Sequence, residues 1–276
     1  MFTRPEGSYD LPPHAVEAIL RDPANPLLQI ARLVPDGARV LDVGAGNGLL
    51  AQVLRRQRPT VVIDGVEPSG YAAGLAAPHY RRFHHGYAQD LPPSWREPRY
   101  DFVVLADVME HVPDPVGFLR QLDGLIDASS RILLTVPNVA FGAVRIALLN
   151  GDFRYVDSGI LERTHLRFFT RDTLTAAVTE AGLHMEKLLL LQRGLLAGEI
   201  AVARYRVGIG TLLKLARDDL ALTYQFLAVL GKAPATTRVE RVGGGDRHPV
   251  LRYFYLRHFR HMALVRALSG LWRKVR

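Results

Sequence analysis

Asp107, Glu110 and His111 stand at spacing i, i+3, i+4 in the run YDFVVLADVMEHVPDP. If the segment is helical, this puts two carboxylates and an imidazole on one face. The imidazole can take a hydroxyl proton near neutral pH. Carboxylates plus imidazole also suit Mg²⁺, Mn²⁺ or Zn²⁺. A second histidine, His165, lies between Thr164 and Arg167 in GILERTHLRFFT and offers the same proton chemistry. Upstream, Asp42 leads into Gly44-Ala-Gly46-Asn-Gly48, and VVIDGVEP ends in Glu67. A Gly-rich turn between strand and helix brings backbone N–H groups close to a ligand. An acid at the tip of the next strand is placed to accept both ribose hydroxyls of a nucleoside. Plainer readings stand beside these. Asp42 could cap a helix, Asp90 could be a turn residue, His111 could line a pocket, and His165 could hydrogen-bond within its own loop.

The elements that must position these residues follow from short apolar runs punctuated by Gly, Pro and Asp. Strands are expected at Arg39–Val43, Val61–Val66, Arg81–His85, Asp101–Ala106, Arg131–Val136, His184–Leu191 and Tyr224–Gly231. Helices are expected at Asn25–Leu33, Gly48–Arg56, Ser69–Ala76, Pro115–Leu125 and Thr170–Gly182, with Leu195–Asp219 helical as well. Val139–Arg171 breaks the alternation, and a stretch of that length reads as a lid or binding surface. The chain divides into an N-terminal cap (1–34), a catalytic domain (35–233, with the insertion 139–171) and a tail (234–276). The tail begins with a Gly-rich linker, Ala235–His248.

Three stretches together, VLDVGAGNGLLA with Glu67, YDFVVLADVMEHVPDP and RILLTVPN, resemble the class I S-adenosylmethionine (SAM)-dependent methyltransferases. The resemblance runs in order over residues 35–233. It implies an α/β fold: a Rossmann-like seven-stranded mixed sheet with an antiparallel last strand, a lid after strand five and a helical C-terminal tail. It implies SAM as cofactor, with Asp42, Gly44, Gly46, Asn47 and Gly48 around the methionine and ribose. Glu67 and Pro68 would hold the ribose, Ala88 and Asp90 the adenine side, and Ala106 the end of the fourth strand. Tyr87 stands where related enzymes carry an acid, so Asp90 or a backbone carbonyl would serve the adenine. Similarity to quinone-biosynthesis O-methyltransferases makes Asp107, Glu110 and His111 the candidates if a divalent metal is used, but metal-free relatives also carry Glu-His here, and no metal is expected. GILERTHLRFFT is similar to a bacterial subgroup associated with sugar and polysaccharide biosynthesis. His165 and His111 are the candidate bases.

The expected activity is O-methylation of a small-molecule or glycan hydroxyl in bacterial secondary or cell-surface metabolism. A quinone or phenol O-methyltransferase is the alternative, and a non-catalytic SAM-binding scaffold the rival of another class. The G-x-G-x-G spacing argues against an NAD enzyme, whose loop reads G-x-G-x-x-G. Ala106-Asp107-Val108-Met109 replaces the Asn/Asp-Pro-Pro-aromatic element of amino-methylating nucleic-acid enzymes, so no nucleic-acid partner is expected.

Composition sets the outer bounds. The chain has 276 residues, 48% of them hydrophobic and 22% charged, which fits a globular protein with a sizeable core. It has no Cys, which excludes disulfides and thiolate metal sites. The opening MFTRPEGSYDLPPH has no apolar h-region, and Leu183–Ala203 is broken by Glu186, Lys187, Arg193 and Glu199. A cytoplasmic protein without signal peptide or membrane span is therefore expected. Of the net charge of +8, residues 250–276 carry seven Lys or Arg and no acid. These bases scatter around a helical wheel. Docking on protein, as in a homodimer, is favoured over peripheral contact with a membrane.

Overall fold

A computed structural model describes residues 10, 12, 14–97, 99–196, 198–244 and 253. Two short helices, α1 (Ala15–Arg21) and α2 (Pro26–Leu33), precede the sheet. Asn25 caps α2 by accepting from the Leu27 amide, and Pro26 occupies the first turn, where its missing N–H is no loss. Then come β1 (Arg39–Val43), α3 (Leu49–Gln57), β2 (Val62–Glu67), α4 (Gly70–Ala76), β3 (Phe83–His85), β4 (Phe102–Ala106), α5 (Pro115–Gln121) and β5 (Arg131–Pro137). Beyond β5 lie α6 (Gly142–Leu149), α7 (Arg171–Glu180), β6 (His184–Gln192), α8 (Ile209–Ala216), α9 (Asp219–Leu222), β7 (Thr223–Gly231) and β8 (Arg238–Gly243).

The strands form one sheet in the order β3-β2-β1-β4-β5-β7-β6-β8. The first five are parallel to one another. β7 is antiparallel to both β5 and β6, as the sequence reading expects of the last strand. Successive side chains alternate between two cores. Leu41, Val43, Val103, Leu105, Ile132 and Leu134 face one side with Leu119, Leu174 and Val178. Val40, Val104 and Leu133 face the other with Ile30, Val53 and Leu54. A third apolar cluster joins α6, α8 and α9 to Ile160, Leu161, Leu195 and Tyr253, and it carries much of the insertion after β5.

Three expectations are corrected. The sheet has eight strands, not seven. The eighth, Arg238–Gly243, falls inside the stretch read as a linker and runs parallel to β6. Its sequence RVERVG alternates charge with two valines and lies exposed on an edge, so it lacks the apolar run that marks the buried strands. Leu195–Asp219 is not one helix: α8 covers only its end, and Asp218 accepts from the Leu220 amide to start α9. Val202–Arg204 forms a separate short 3-10 turn. The expected helical tail lies outside the described residues, except Tyr253. Its hydroxyl donates to the Tyr205 carbonyl at 2.7 Å and accepts from the Val207 amide. Among the described residues, no helix is long and apolar enough to cross a membrane.

Candidate active site

β2, β1 and β4 are adjacent, and the chain runs outward from β1 on one side and from β4 on the other. Ligands in open α/β sheets bind beyond the strand C-termini at such a switch point. A cleft of about 980 Å³ opens there. Asp42, Gly44, Gly46, Asn47, Glu67, Pro68, Ala88 and Ala106 line it, as the sequence reading expects. Gly48 does not. It caps α3 with φ 81° and faces Ala76 and His79. Asp90 also lies outside the lining, exposed in the turn Ala88–Asp90, while Tyr87 and Gln89 border the cleft. Those two residues and Ser69 line the cleft, and sequence reasoning did not assign them to it.

The glycine loop needs its glycines for backbone reasons. Gly44 has φ 79°, and a Cβ there would come within 2.6 Å of Val108 Cγ2. Gly46 has φ 54°, and a Cβ there would meet nothing within 4 Å. The Gly44 and Ala45 amides both donate to the Val66 carbonyl at 2.9 Å. Glu67 is 5% exposed, and each of its oxygens already has a backbone donor. Oε2 accepts from the Gly46 amide and Oε1 from the Ser69 amide, both at 2.8 Å. A carboxylate oxygen can accept more than one hydrogen bond, so a hydroxyl donor is compatible with this acid. The residues present therefore fit a ribose, held by a carboxylate that is oriented beforehand. Asp42 is buried below the loop, and the Tyr80 hydroxyl donates to it at 2.6 Å. Burial pushes the Asp42 carboxyl up to about 7. The Tyr80 hydrogen bond opposes that shift, and the nearby Glu67 charge adds to it.

Asp107, Glu110 and His111 do not converge. Asp107 follows β4 with φ 57°, an uncommon conformation for a residue with a Cβ. Its amide donates to Thr135 Oγ1 at 3.0 Å. Its Oδ1 accepts from Thr135 Oγ1 at 2.8 Å and from the Gln225 side chain. These bonds turn the carboxylate toward β5 and β7, and the short turn Met109–His111 replaces the helix that the shared face requires. Among the described residues, the grouping that could hold a cation is instead Glu110, His111 and His165, with ligand atoms within 4.8 Å of one another. Two imidazoles and a carboxylate form a donor set suited to a divalent transition metal.

His111 borders the cleft and His165 stands behind it, 6% exposed, with the two rings 4.8 Å apart and edge-on. The His165 Nδ1 lies 2.9 Å from the Ile160 carbonyl, and the His111 Nδ1 lies 3.2 Å from the Thr164 carbonyl. The insertion is clamped here, because the Leu166 and Arg167 amides both donate to the Glu110 carbonyl. The cleft also has apolar walls, with Ile19, Leu27, Val112, Phe118 and Leu166 among its lining residues. No local sequence signal marks Ile19 or Leu27, which reach the cleft from α1 and α2.

The comparisons agree with this geometry. Residues 15–188 match the family model described as a methyltransferase domain, well over half of the 276-residue chain. The chain is 30% identical over 182 residues to a ubiquinone biosynthesis O-methyltransferase of Xylella fastidiosa, covering 63% of this chain and 70% of that one. A namesake from Azorhizobium caulinodans is 28% identical over 175 residues, covering 60% and 67%. Among solved structures, the methyltransferase complexed with the Haloferax volcanii Trm112 activator aligns with TM-score 0.53 at 15% identity, over 82% of this chain and 95% of that one. A SAM-dependent methyltransferase from Thermotoga maritima aligns with TM-score 0.51 at 16% identity, over 80% and 92%. Those two likenesses bear on the fold alone. The family match extends over a chain whose glycine loop, strand-end acid and strand order already describe a SAM site, and the protein belongs to the class I SAM-dependent methyltransferases.

Proposed function

We propose that the protein methylates a hydroxyl on a small acceptor of the phenol or quinol class, with His111 as general base. The observation that carries this reading is the cleft whose walls hold the glycine loop, His111 and many apolar side chains. A flat, apolar acceptor bearing a hydroxyl suits such walls. A polyhydroxylated glycan needs a denser array of polar partners. The names of the relatives support the same class. SAM, when bound, supplies an electrophilic methyl group. The protein's own residues do the rest. Glu67 and the glycine loop hold the nucleoside, the apolar wall excludes water and orients the acceptor, and His111 receives the hydroxyl proton. His165 packs edge-on against His111 and fixes its ring. If a divalent cation is used, Glu110, His111 and His165 would hold it.

The test is transfer of radiolabelled methyl from SAM to a panel of catechols and hydroquinones, with sugar nucleotides in parallel. The expected product is an aryl methyl ether, and His111→Gln should lose about 100-fold or more in kcat. Methylation of the sugar nucleotides alone would overturn the acceptor class. Full activity with EDTA and no bound metal by elemental analysis would leave the Glu110 cluster to proton chemistry. The reading is completed by a cytoplasmic enzyme in three parts: the cap (1–34), the catalytic domain extended from 233 to take in β8, and the basic tail beyond it. Its basic tail would support a homodimer or peripheral contact with an anionic surface.

A further inference from the structure

α8 reads IGTLLKLA, and one side of it finds a partner in the body. Leu212 and Leu215 pack inward, in the cluster shared with α6 and α9. Ile209 and Leu213, four residues apart, share another side and are 51% and 42% exposed. α6 ends in the same way. Ile146 and Ala147 are buried, and the next two residues, Leu148 and Leu149, are 50% and 71% exposed. Two hydrogen bonds bring the end of α6 to the start of α8. The Arg206 amide donates to Asn150 Oδ1 at 3.3 Å, and the Tyr205 hydroxyl donates to Asp152 Oδ2 at 2.7 Å. Phe153 and Tyr155 follow directly, both exposed, with their rings edge-on at 5.8 Å. Exposed apolar side chains are ordinary when scattered singly, but here they gather on two neighbouring stretches.

The charge on these stretches is one-sided. Arg204, Arg206, Lys214 and Arg217 are exposed. The acids are taken by other bases: Asp152 by Arg154, Asp157 by Arg163, Asp218 by Arg145 and Asp219 by Arg241. Tyr253 is held at the same spot by the Tyr205 carbonyl and the Val207 amide, and residues 250–276 carry seven Lys or Arg and no acid. Apolar side chains among uncompensated bases match the boundary of an anionic bilayer, where the first enter the acyl region and the second meet the headgroups. Other partners fit less well. A second copy packed face to face would set the bases against one another. A nucleic acid would satisfy the bases and leave the leucines in water. We propose that the face formed by the end of α6 and the outer side of α8 docks on an anionic lipid bilayer. Leu148, Leu149, Ile209 and Leu213 enter it, and Arg204, Arg206, Lys214 and Arg217 hold its headgroups. The proposal does not depend on the acceptor class.

The experiment sediments full-length protein with vesicles of equal parts phosphatidylcholine and phosphatidylglycerol, and with vesicles of phosphatidylcholine alone. Partition onto the anionic vesicles should be about tenfold stronger or more, and added salt should release the protein. Leu149→Ser with Ile209→Ser should weaken that partition roughly tenfold, and Arg206→Gln with Lys214→Gln by about as much. Leu75→Ser, at a leucine 39% exposed on α4, should change nothing. Unchanged urea midpoints show that these surface variants keep the fold. The chain has no cysteine, so Ile209→Cys and Leu75→Cys can each carry one environment-sensitive dye. The dye at 209 should shift to the blue on anionic vesicles, and the dye at 75 should not. An unmoved dye at 209 on sedimented protein would overturn the proposal. Wild-type partition in both double variants would do the same, because the tail would then bind lipid by itself. Equal partition onto phosphatidylcholine alone would remove the anionic headgroups from it. A light-scattering mass that falls by half in Leu149→Ser with Ile209→Ser would give the face to a second copy. A dye at 209 that responds to duplex DNA and not to vesicles would give it to nucleic acid.

Discussion

Asp42 and Glu67 carry opposite burdens in the cleft. Glu67 is satisfied by two backbone amides, whereas Asp42 is buried with its carboxyl pushed up to about 7. The unfolded carboxyl titrates near 4, so the folded state holds its proton more tightly. Asp42 therefore withdraws stability as pH rises from about 4, and the loss is complete above about 7. Tyr80→Phe removes a donor to the charged form. Its cost should be about 1.5–3 kcal/mol at pH 8 and about 1 kcal/mol at pH 5. Urea unfolding at the two pH values checks this, and a larger loss at pH 5 would contradict it. Glu67→Ala removes the ribose acceptor and also frees the Gly46 and Ser69 amides. Calorimetry should show SAM binding weakened roughly tenfold or more. Unchanged affinity would take Glu67 out of the site.

At the scale of elements, β8 is the feature with the plainest thermodynamic test. It pairs with β6 from Lys187 opposite Arg238 to Gln192 opposite Gly243, and Lys187 bridges Glu240 at 2.9 Å. A chain ending at Ala235 loses this strand and should unfold at lower urea than one ending at Gly244. Equal midpoints would make β8 dispensable. The sequence legibly marks β1 to β6 and β7, because buried strands need unbroken apolar runs and their ends need Gly, Pro or Asp. It marks the glycine loop and Glu67 for the same local reason. It does not mark β8, whose residues are chosen for an edge. Nor does it reveal the contacts that make the acceptor side. His111 meets Thr164 across 53 residues, and Tyr80 meets Asp42 across 38. The i, i+3, i+4 spacing misleads at Asp107, because the chain makes a turn there instead of a helix and Thr135 and Gln225 claim the carboxylate.

At the scale of the whole molecule, the tail meets the body at Tyr253, 4% exposed in the cluster of α6, α8 and α9. That cluster is built on the insertion, apart from the glycine loop. A chain ending at Gly244 should therefore keep its SAM affinity within a few-fold while melting at lower temperature. Its light-scattering mass or its retention on anionic vesicles should fall relative to the full chain. Lost SAM binding in the folded, shortened protein would make the tail part of the SAM site. The position of β8 has one further consequence. Beneath it, β6 presents Leu188, Leu189, Leu190 and Leu191, a run that would template strand addition from any other chain if it were left open. β8 closes that run and offers solvent Arg238, Glu240 and Arg241 in its place, so the sheet ends in alternating charge. A chain cut at Ala235 should therefore fail first by self-association, forming dye-binding aggregates at concentrations where the chain ending at Gly244 remains clear.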